Sequence, residues 1–244
     1  MILENRKVLI TGAASGIGKE IARQCLTEGA FVIACDINEQ VLAALHQSLK
    51  SEKLSTYQID ISRYEEVEQL FKKVADQHGD LDSLVNNAGI YLAKSIMDYE
   101  EADIDRVLDI NIKGAIYFSK EFGKMFIHKK RKGQIVNMSS VSGLEGSSDA
   151  IYGLSKAALI GLTKSCAMNF SPYIRVNAVA PTMVNTPMMN SIPEWRKKEY
   201  WNHQLIQHAV TPEDVAETVL FLLSDKAKHY TGATFDLNNG GYLR

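Results

Sequence analysis

Tyr152 and Lys156 stand four residues apart in the segment Ile151-Tyr152-Gly153-Leu154-Ser155-Lys156. On a helix an i, i+4 pair shares one face, so an ammonium lies beside a phenol and favours its ionised form. Without such help a phenol titrates at ~10 and is a poor base at neutral pH. Far upstream, the first apolar run leads into Thr11-Gly12-Ala13-Ala14-Ser15-Gly16-Ile17-Gly18. Glycines there permit a tight turn and let backbone N–H groups approach a pyrophosphate at the positive end of the following helix. Each signal alone has a bland reading, a surface tyrosine–lysine pair or a simple turn. Together they point to proton transfer coupled to hydride transfer with a dinucleotide.

These groups need a sheet to position them. Short β-branched runs at Val8 to Thr11, Phe31 to Cys35, Ser55 to Ile59, Ser83 to Val85, Gln134 to Met138, Ile174 to Val179 and Thr234 to Leu237 read as strands. Helical patterns separate them at Gly18 to Thr27, Glu39 to Leu49, Tyr64 to Gln77, Ile104 to His128, Ala150 to Phe170 and Pro212 to Leu223. The rhythm predicts an α/β fold, a Rossmann-like, doubly wound parallel sheet of about seven strands with helices on both faces. No repeat, low-complexity tract or Pro/Ser linker interrupts it, so residues 1–244 read as a single dinucleotide-binding and catalytic domain. Only residues 187–208 break the rhythm, with Pro187, Met188, Met189, Pro193, Trp195, Tyr200 and Trp201. A substrate lid is expected there, the plainer alternative being a helix pair packed on the body.

The strand ends indicate which dinucleotide binds. The second strand leads to Asp36, where a carboxylate can accept hydrogen bonds from the adenosine ribose hydroxyls and would repel a 2′-phosphate. No cation occupies Ser15, Ile37 or Asn38 to rescue that phosphate, so charge favours NAD over NADP. Asp60-Ile61 and Asn86-Asn87-Ala88-Gly89 close the third and fourth strands, at the carboxyl edge where ligands of open α/β sheets bind.

Composition narrows the class further. A formal net charge of −2 and a pI near 6.3 leave no overall basic field for nucleic acid or an anionic membrane. The run His128-Lys129-Lys130-Arg131-Lys132 reads as a solvated helix end complementing the dipole. Three cysteines, Cys25, Cys35 and Cys166, give no disulfide framework, and the six histidines show no metal-ligand spacing. With no apolar signal region or spanning stretch, a cytoplasmic protein that binds no metal is expected.

The sequence resembles the short-chain dehydrogenases/reductases along essentially its whole length. Thr11 to Gly18, Asp60, Asn86 to Gly89, Asn111, Ser140, Tyr152, Lys156 and Pro181 to Thr186 carry the resemblance in order and approximate spacing. It implies an NAD(H)-dependent oxidoreductase interconverting a secondary alcohol and a ketone. The implied catalytic set is Asn111, Ser140, Tyr152 and Lys156: Tyr152 moves the substrate proton, Ser140 holds the substrate oxygen, Lys156 binds the nicotinamide ribose, and Asn111 holds a water in a proton relay. The implied cofactor site comprises Gly12, Ser15, Gly16, Ile17, Gly18, Asp36, Asp60, Ile61, Asn87, Ala88, Gly89, Tyr152, Lys156, Pro181, Val184 and Thr186. Ser139 reads as structural. Thr182 departs from the usual glycine, and Leu237-Asn238-Asn239-Gly240-Gly241 departs from the usual Asp-Gly-Gly ending at a place away from the chemistry. The resemblance also implies a homotetramer paired through the helices at Ile104 to His128 and Ala150 to Phe170. Glu145 to Asp149 border the substrate in related proteins, which suggests a polar, hydroxylated substrate. The alternatives are an NADPH-dependent 3-oxoacyl-thioester reductase, which Asp36 opposes, and a non-catalytic dinucleotide-binding sensor or scaffold.

Overall fold

A computed structural model of the chain describes residues 1–79 and 81–244. Seven parallel strands, β1 (Lys7–Thr11), β2 (Phe31–Asp36), β3 (Leu54–Gln58), β4 (Ser83–Asn86), β5 (Gly133–Met138), β6 (Ile174–Pro181) and β7 (Thr234–Leu237), form one sheet in the order β3-β2-β1-β4-β5-β6-β7. The order reverses between β1 and β4, which pair through Val8–Ser83 to Ile10–Val85. Such a reversal opens a crevice at the carboxyl ends of the strands, because successive crossovers leave in opposite directions.

Strand alternation divides the core in two. Val8 and Ile10 of β1, with Val32 and Ala34 of β2, pack on α1 (Gly16–Thr27), α2 (Glu39–Leu49) and, further along the chain, the helix Pro212–Leu223. Leu9, Ile33 and Cys35 point to the other face, toward α3 (Tyr64–His78) and the fully buried Phe118, Phe122 and Phe126. The period of two along each strand puts an apolar residue on both faces, as a sheet covered on both sides requires. Burying each phenylalanine contributes about 1.5–3 kcal/mol.

Most element boundaries match the sequence-based expectation to within two residues. The expected single helix Ile104 to His128 is instead α4 (Glu101–Leu108), a wide π turn at Asp109–Lys113, and α5 (Gly114–Ile127). Next come the short α6 (Ser142–Glu145) and the long α7 (Ala150–Asn169). Residues 187–208 hold a 3-10 turn at Pro187–Ser191 and one helix, α8 (Glu194–His203), rather than a helix pair. Helix α9 (Pro212–Leu223) starts from a capping box in which Thr211 Oγ1 accepts from Asp214 N and Asp214 accepts from Thr211 N. The basic run after α5 is used structurally. Arg131 donates to the Leu81 carbonyl and lies over Phe126, and Lys132 donates to the Pro172 carbonyl. Among the described residues no helix is long and apolar enough to cross a membrane.

Candidate functional site

One cleft of about 380 Å³ runs along the carboxyl edge of the sheet. Its wall includes Gly12, Ser15, Gly16, Ile17, Asp36, Asp60, Ile61, Asn87, Ala88 and Gly89 from the first half of the chain. The second half adds Ser140, Tyr152, Lys156, Pro181, Val184 and Thr186. Residues spread over the whole sequence therefore converge because parallel strands all end on the same side.

The glycine loop is shaped by contacts that exclude a side chain. Gly12 and Gly16 have φ of +63° and +51°, a left-handed backbone that costs glycine little. A Cβ on Gly12 would come within 2.8 Å of Ala88 Cα. Gly18 lies behind the cleft rather than in its wall: a Cβ there would sit 2.1 Å from the Gly12 carbonyl oxygen. It thus acts by close packing, while Gly12, Ser15, Gly16 and Ile17 line the cradle. Asn87 ties β4 to this loop, with its Nδ2 donating to the carbonyls of Thr11 at 3.0 Å and Gly12 at 3.1 Å. Asp36 ends β2 with Oδ2 accepting from Ala14 N and Oδ1 from Asn38 N, both at 3.1 Å. The carboxylate is thereby held against the loop and keeps lone pairs for further donors. Asp60 Oδ1 accepts from Ser62 N and Oγ, and the Asp60 N–H donates to Glu66.

The chemical end is assembled on α7. Asp149 caps this helix, with Oδ1 accepting from Tyr152 N at 3.0 Å and from the Tyr99 hydroxyl at 2.6 Å. That is a different position from the substrate border expected for Asp149, because the carboxylate is buried beneath Tyr99. Lys156 is buried one turn after Tyr152, with its Nζ 5.6 Å from the Tyr152 ring centroid and donating to the Met138 carbonyl at 2.9 Å. Burial pushes the Lys156 ammonium down to about 8 and the Tyr152 phenol up to about 12, the latter opposed by a hydrogen bond with Ser140. Each group has lost water around its charged form. Ser139, beside Ser140, donates its hydroxyl to the Lys156 carbonyl and so docks α7 on β5.

Asn111 sits buried at the centre of the π turn. Its Oδ1 accepts from Ile90 N at 2.8 Å, and its Nδ2 donates to Ile90 O and Ser155 Oγ, both at 3.0 Å. One side chain therefore pins the loop after β4 and the helix carrying Tyr152. A Cβ on Gly89 would lie 3.3 Å from both Asn111 Oδ1 and Lys156 Nζ, so the two side chains flank this glycine. π turns concentrate where a helix must aim a particular side chain, as happens here.

Sequence reasoning missed several wall residues. Tyr91, whose ring meets that of Tyr152 edge-on at 5.0 Å, and Ser142 line the same cleft. Their only signal was proximity to strand ends. Tyr200, in the segment expected to form the lid, presents its hydroxyl 3.5 Å from Ser142 Oγ and accepts a hydrogen bond from Arg196 at 3.2 Å. Glu145 faces this group, and burial raises its carboxyl above the usual range against the pull of Arg196. Arg196 and Lys197 are paired with Glu199 and Glu194.

Comparison with known proteins agrees with this geometry. The family model described as enoyl-(acyl carrier protein) reductase matches residues 12–242. The chain is 36% identical to a 3-oxoacyl-(acyl-carrier-protein) reductase of Thermotoga maritima over 98% of this chain and 99% of that protein. It is 34% identical to a meso-2,3-butanediol dehydrogenase of Serratia marcescens over 98% of this chain and 96% of that one. Among solved structures, a short-chain dehydrogenase/reductase described as glucose/ribitol dehydrogenase, from Brucella melitensis, superposes with a TM-score of 0.92 at 31% identity, covering 100% of this chain and 99% of that chain. A 3-ketoacyl-(acyl-carrier-protein) reductase from Brucella melitensis, complexed with NADH, gives 0.91 at 26% identity, covering 99% and 100%.

Proposed function

The chain belongs to the short-chain dehydrogenase/reductase family of oxidoreductases, and on that premise we propose that it interconverts a secondary alcohol and a ketone with NAD(H). The observation that carries this reading is the convergence of Ser140, Tyr152 and Lys156 in one cleft with the glycine cradle and the Asp36 carboxylate. When bound, the nicotinamide ring accepts or supplies the hydride. Tyr152 is the general acid/base, taking the hydroxyl proton at its phenol oxygen in oxidation and returning it in reduction. Ser140 donates to the substrate oxygen. Lys156 favours the phenolate through its charge and holds the nicotinamide ribose. Asn111 fixes the loop at Ile90 and reaches Ser155 on α7, beside the place where a relay water would sit.

The cradle fits a dinucleotide. Gly12, Ser15, Gly16 and Ile17 leave room for a pyrophosphate at the start of α1, where a Cβ on Gly16 would press to 3.4 Å of Thr186. Asp36 takes the adenosine ribose hydroxyls, Asp60 and Ile61 flank the adenine, Asn87, Ala88 and Gly89 the central span, and Pro181, Val184 and Thr186 the carboxamide. Residues 1–244 work as one domain whose lid is residues 187–208. The protein acts in the cytoplasm on a small-molecule substrate, as a homotetramer joined through α5 and α7. The groove between those helices, lined by Ile116, Gly123, Ile127, Leu162 and Phe170, supports that pairing.

A thioester reductase is the second reading, favoured by the relative from Thermotoga maritima. Cofactor choice alone does not separate the two, since the Brucella melitensis 3-ketoacyl reductase was solved with NADH. Fluorescence titration of NADH against NADPH on wild type and Asp36→Ala tests the first reading. It expects an NADH preference that collapses in the variant, and an NADPH preference in the wild type would overturn it. Tyr152→Phe tests catalysis itself: turnover is expected to fall ~10²–10⁴-fold while NADH binding stays within about threefold. Undiminished turnover would remove Tyr152 from the chemistry, and a wild type that binds NADH but turns over no alcohol or ketone would return the protein to the sensor reading.

A further inference from the structure

We infer that Gln204 is a positioning residue for the substrate side of the cleft, clasped between Thr182 and Asn239 so that the end of α8 and, with it, Tyr200 are held in place. The inference rests on the reading of residues 187–208 as a lid. Gln204 caps the C-terminus of α8 and is 5% exposed, although the next two residues, Leu205 and Ile206, are 70% and 60% exposed. A buried carboxamide needs partners at both ends. Gln204 Nε2 donates to Thr182 Oγ1 at 3.3 Å, and Gln204 Oε1 accepts from Asn239 Nδ2 at 3.0 Å.

Asn239 is the hub of this clasp. It has a φ of +54°, a left-handed conformation that asparagine adopts more readily than most residues. Its carbonyl accepts from the N–H groups of both Leu205 and Ile206, at 2.9 and 3.1 Å, and its side chain also donates to the His208 carbonyl. Gly240 backs the turn, where a Cβ would come within 2.8 Å of Leu205. On the other side, Thr182 N donates to Leu237 O, and Val184 forms a bridge with Val210. The chain leaving α8 is thus stitched both to the loop after β6, which lines the cleft, and to the loop after β7. No residue of α8 is buried, so the contacts at its C-terminal end weigh heavily in its placement. Tyr200 lies one turn before Gln204, and its hydroxyl meets Ser142 across the cleft wall. Thr182 and Asn239, on loops after different strands, are therefore parts of one device.

Both tryptophans of the chain, Trp195 and Trp201, lie on α8, so tryptophan fluorescence reports this segment alone. Asn239→Gly keeps the left-handed backbone and removes only the amide, and Gln204→Met keeps volume and removes both hydrogen bonds. Tryptophan anisotropy of the NADH complex, and kinetics with meso-2,3-butanediol and acetoacetyl-CoA as probe substrates, are measured on wild type, both variants and the double variant. Lower anisotropy is expected, together with a KM raised roughly five- to twenty-fold, kcat changed less than about threefold and NADH affinity unchanged. The double variant should fall short of the sum of the two singles, because both cut the Gln204–Asn239 bond. Unchanged anisotropy and KM would overturn the clasp. So would a parallel fall in kcat and NADH affinity, which would make it support for the whole cleft. If acrylamide quenching of wild-type tryptophan does not respond to either probe substrate in the presence of cofactor, the lid reading itself fails, whatever the variants do.

Discussion

Under the proposed function the Tyr152–Lys156 pair meets two opposed demands, charge for catalysis and burial for exclusion of water. Burial pushes Lys156 down to about 8, from an ordinary 10.5. Below about 8 the folded and unfolded chains both hold the proton, and the desolvation cost is fully present. Between about 8 and 10.5 only the unfolded chain holds it, so the Lys156 contribution to stability improves as pH rises. Lys156→Met is therefore expected to melt higher than wild type at neutral pH, by roughly 2–8 °C, and to lose that advantage toward alkaline pH. A gap that stays constant between neutral and alkaline pH would contradict the assignment. Tyr152 cannot be a base by itself at neutral pH with its phenol near 12. In the proposed mechanism its ionised form depends on Lys156, on Ser140 and on positive charge arriving with the oxidised cofactor.

At the scale of elements, α7 is the part on which the site turns. Its N-cap is Asp149, whose carboxylate holds the Tyr152 N–H and the Tyr99 hydroxyl at once. The half-buried phenol of Tyr99 is correspondingly pushed far up by desolvation and by that carboxylate. Asp149→Ala should cost about 0.5–2 kcal/mol from the lost cap and lower kcat at least as much as it raises KM, because the first turn holds Tyr152. Guanidinium unfolding and steady-state kinetics decide between this and the substrate-wall role, which predicts a raised KM with kcat intact. A cap signal was present in the sequence, an aspartate immediately before an apolar helical pattern, but the sequence reading placed Asp149 at the substrate border instead. The π turn gave no such signal. Residues 104–128 carry a helical pattern throughout, and only the pairing of Asn111 with Ile90, 21 residues away, shows why the helix widens there.

For the whole molecule, the faces of α5 and α7 away from the sheet retain apolar groups, with Ile116 40% and Met168 81% exposed. Exposed apolar surface flanking a groove between two helices suits burial against a second copy. Sedimentation is expected to give a species near four times the 27.2 kDa chain, and Ile116→Asp should shift it to smaller assemblies. A wild-type monomer at micromolar concentration would refute the tetramer. The basic run after α5 contributes no such surface, since Arg131 and Lys132 already hold Leu81 and Pro172.

The sheet, the glycine loop, Asp36 and the Tyr152–Lys156 pair were legible in the sequence because each rests on short-range geometry, whereas the family, Asn111 and Ser140 were reached through the resemblance. The relevant patterns are an i, i+4 pair, a glycine turn before a helix, a period of two along each strand and an aspartate at a strand end. The tertiary structure alone decided which groups those residues meet. Gly18 was readable as part of the glycine loop, yet its place behind the cradle depends on the Gly12 carbonyl and Asn87. Asn239, set aside in the sequence as remote from the chemistry, reaches Gln204 35 residues earlier, and Gln204 reaches Thr182 another 22 residues back. Partners so far apart in the chain are chosen by the order in which parallel strands pack, and no local pattern of residue types encodes that choice.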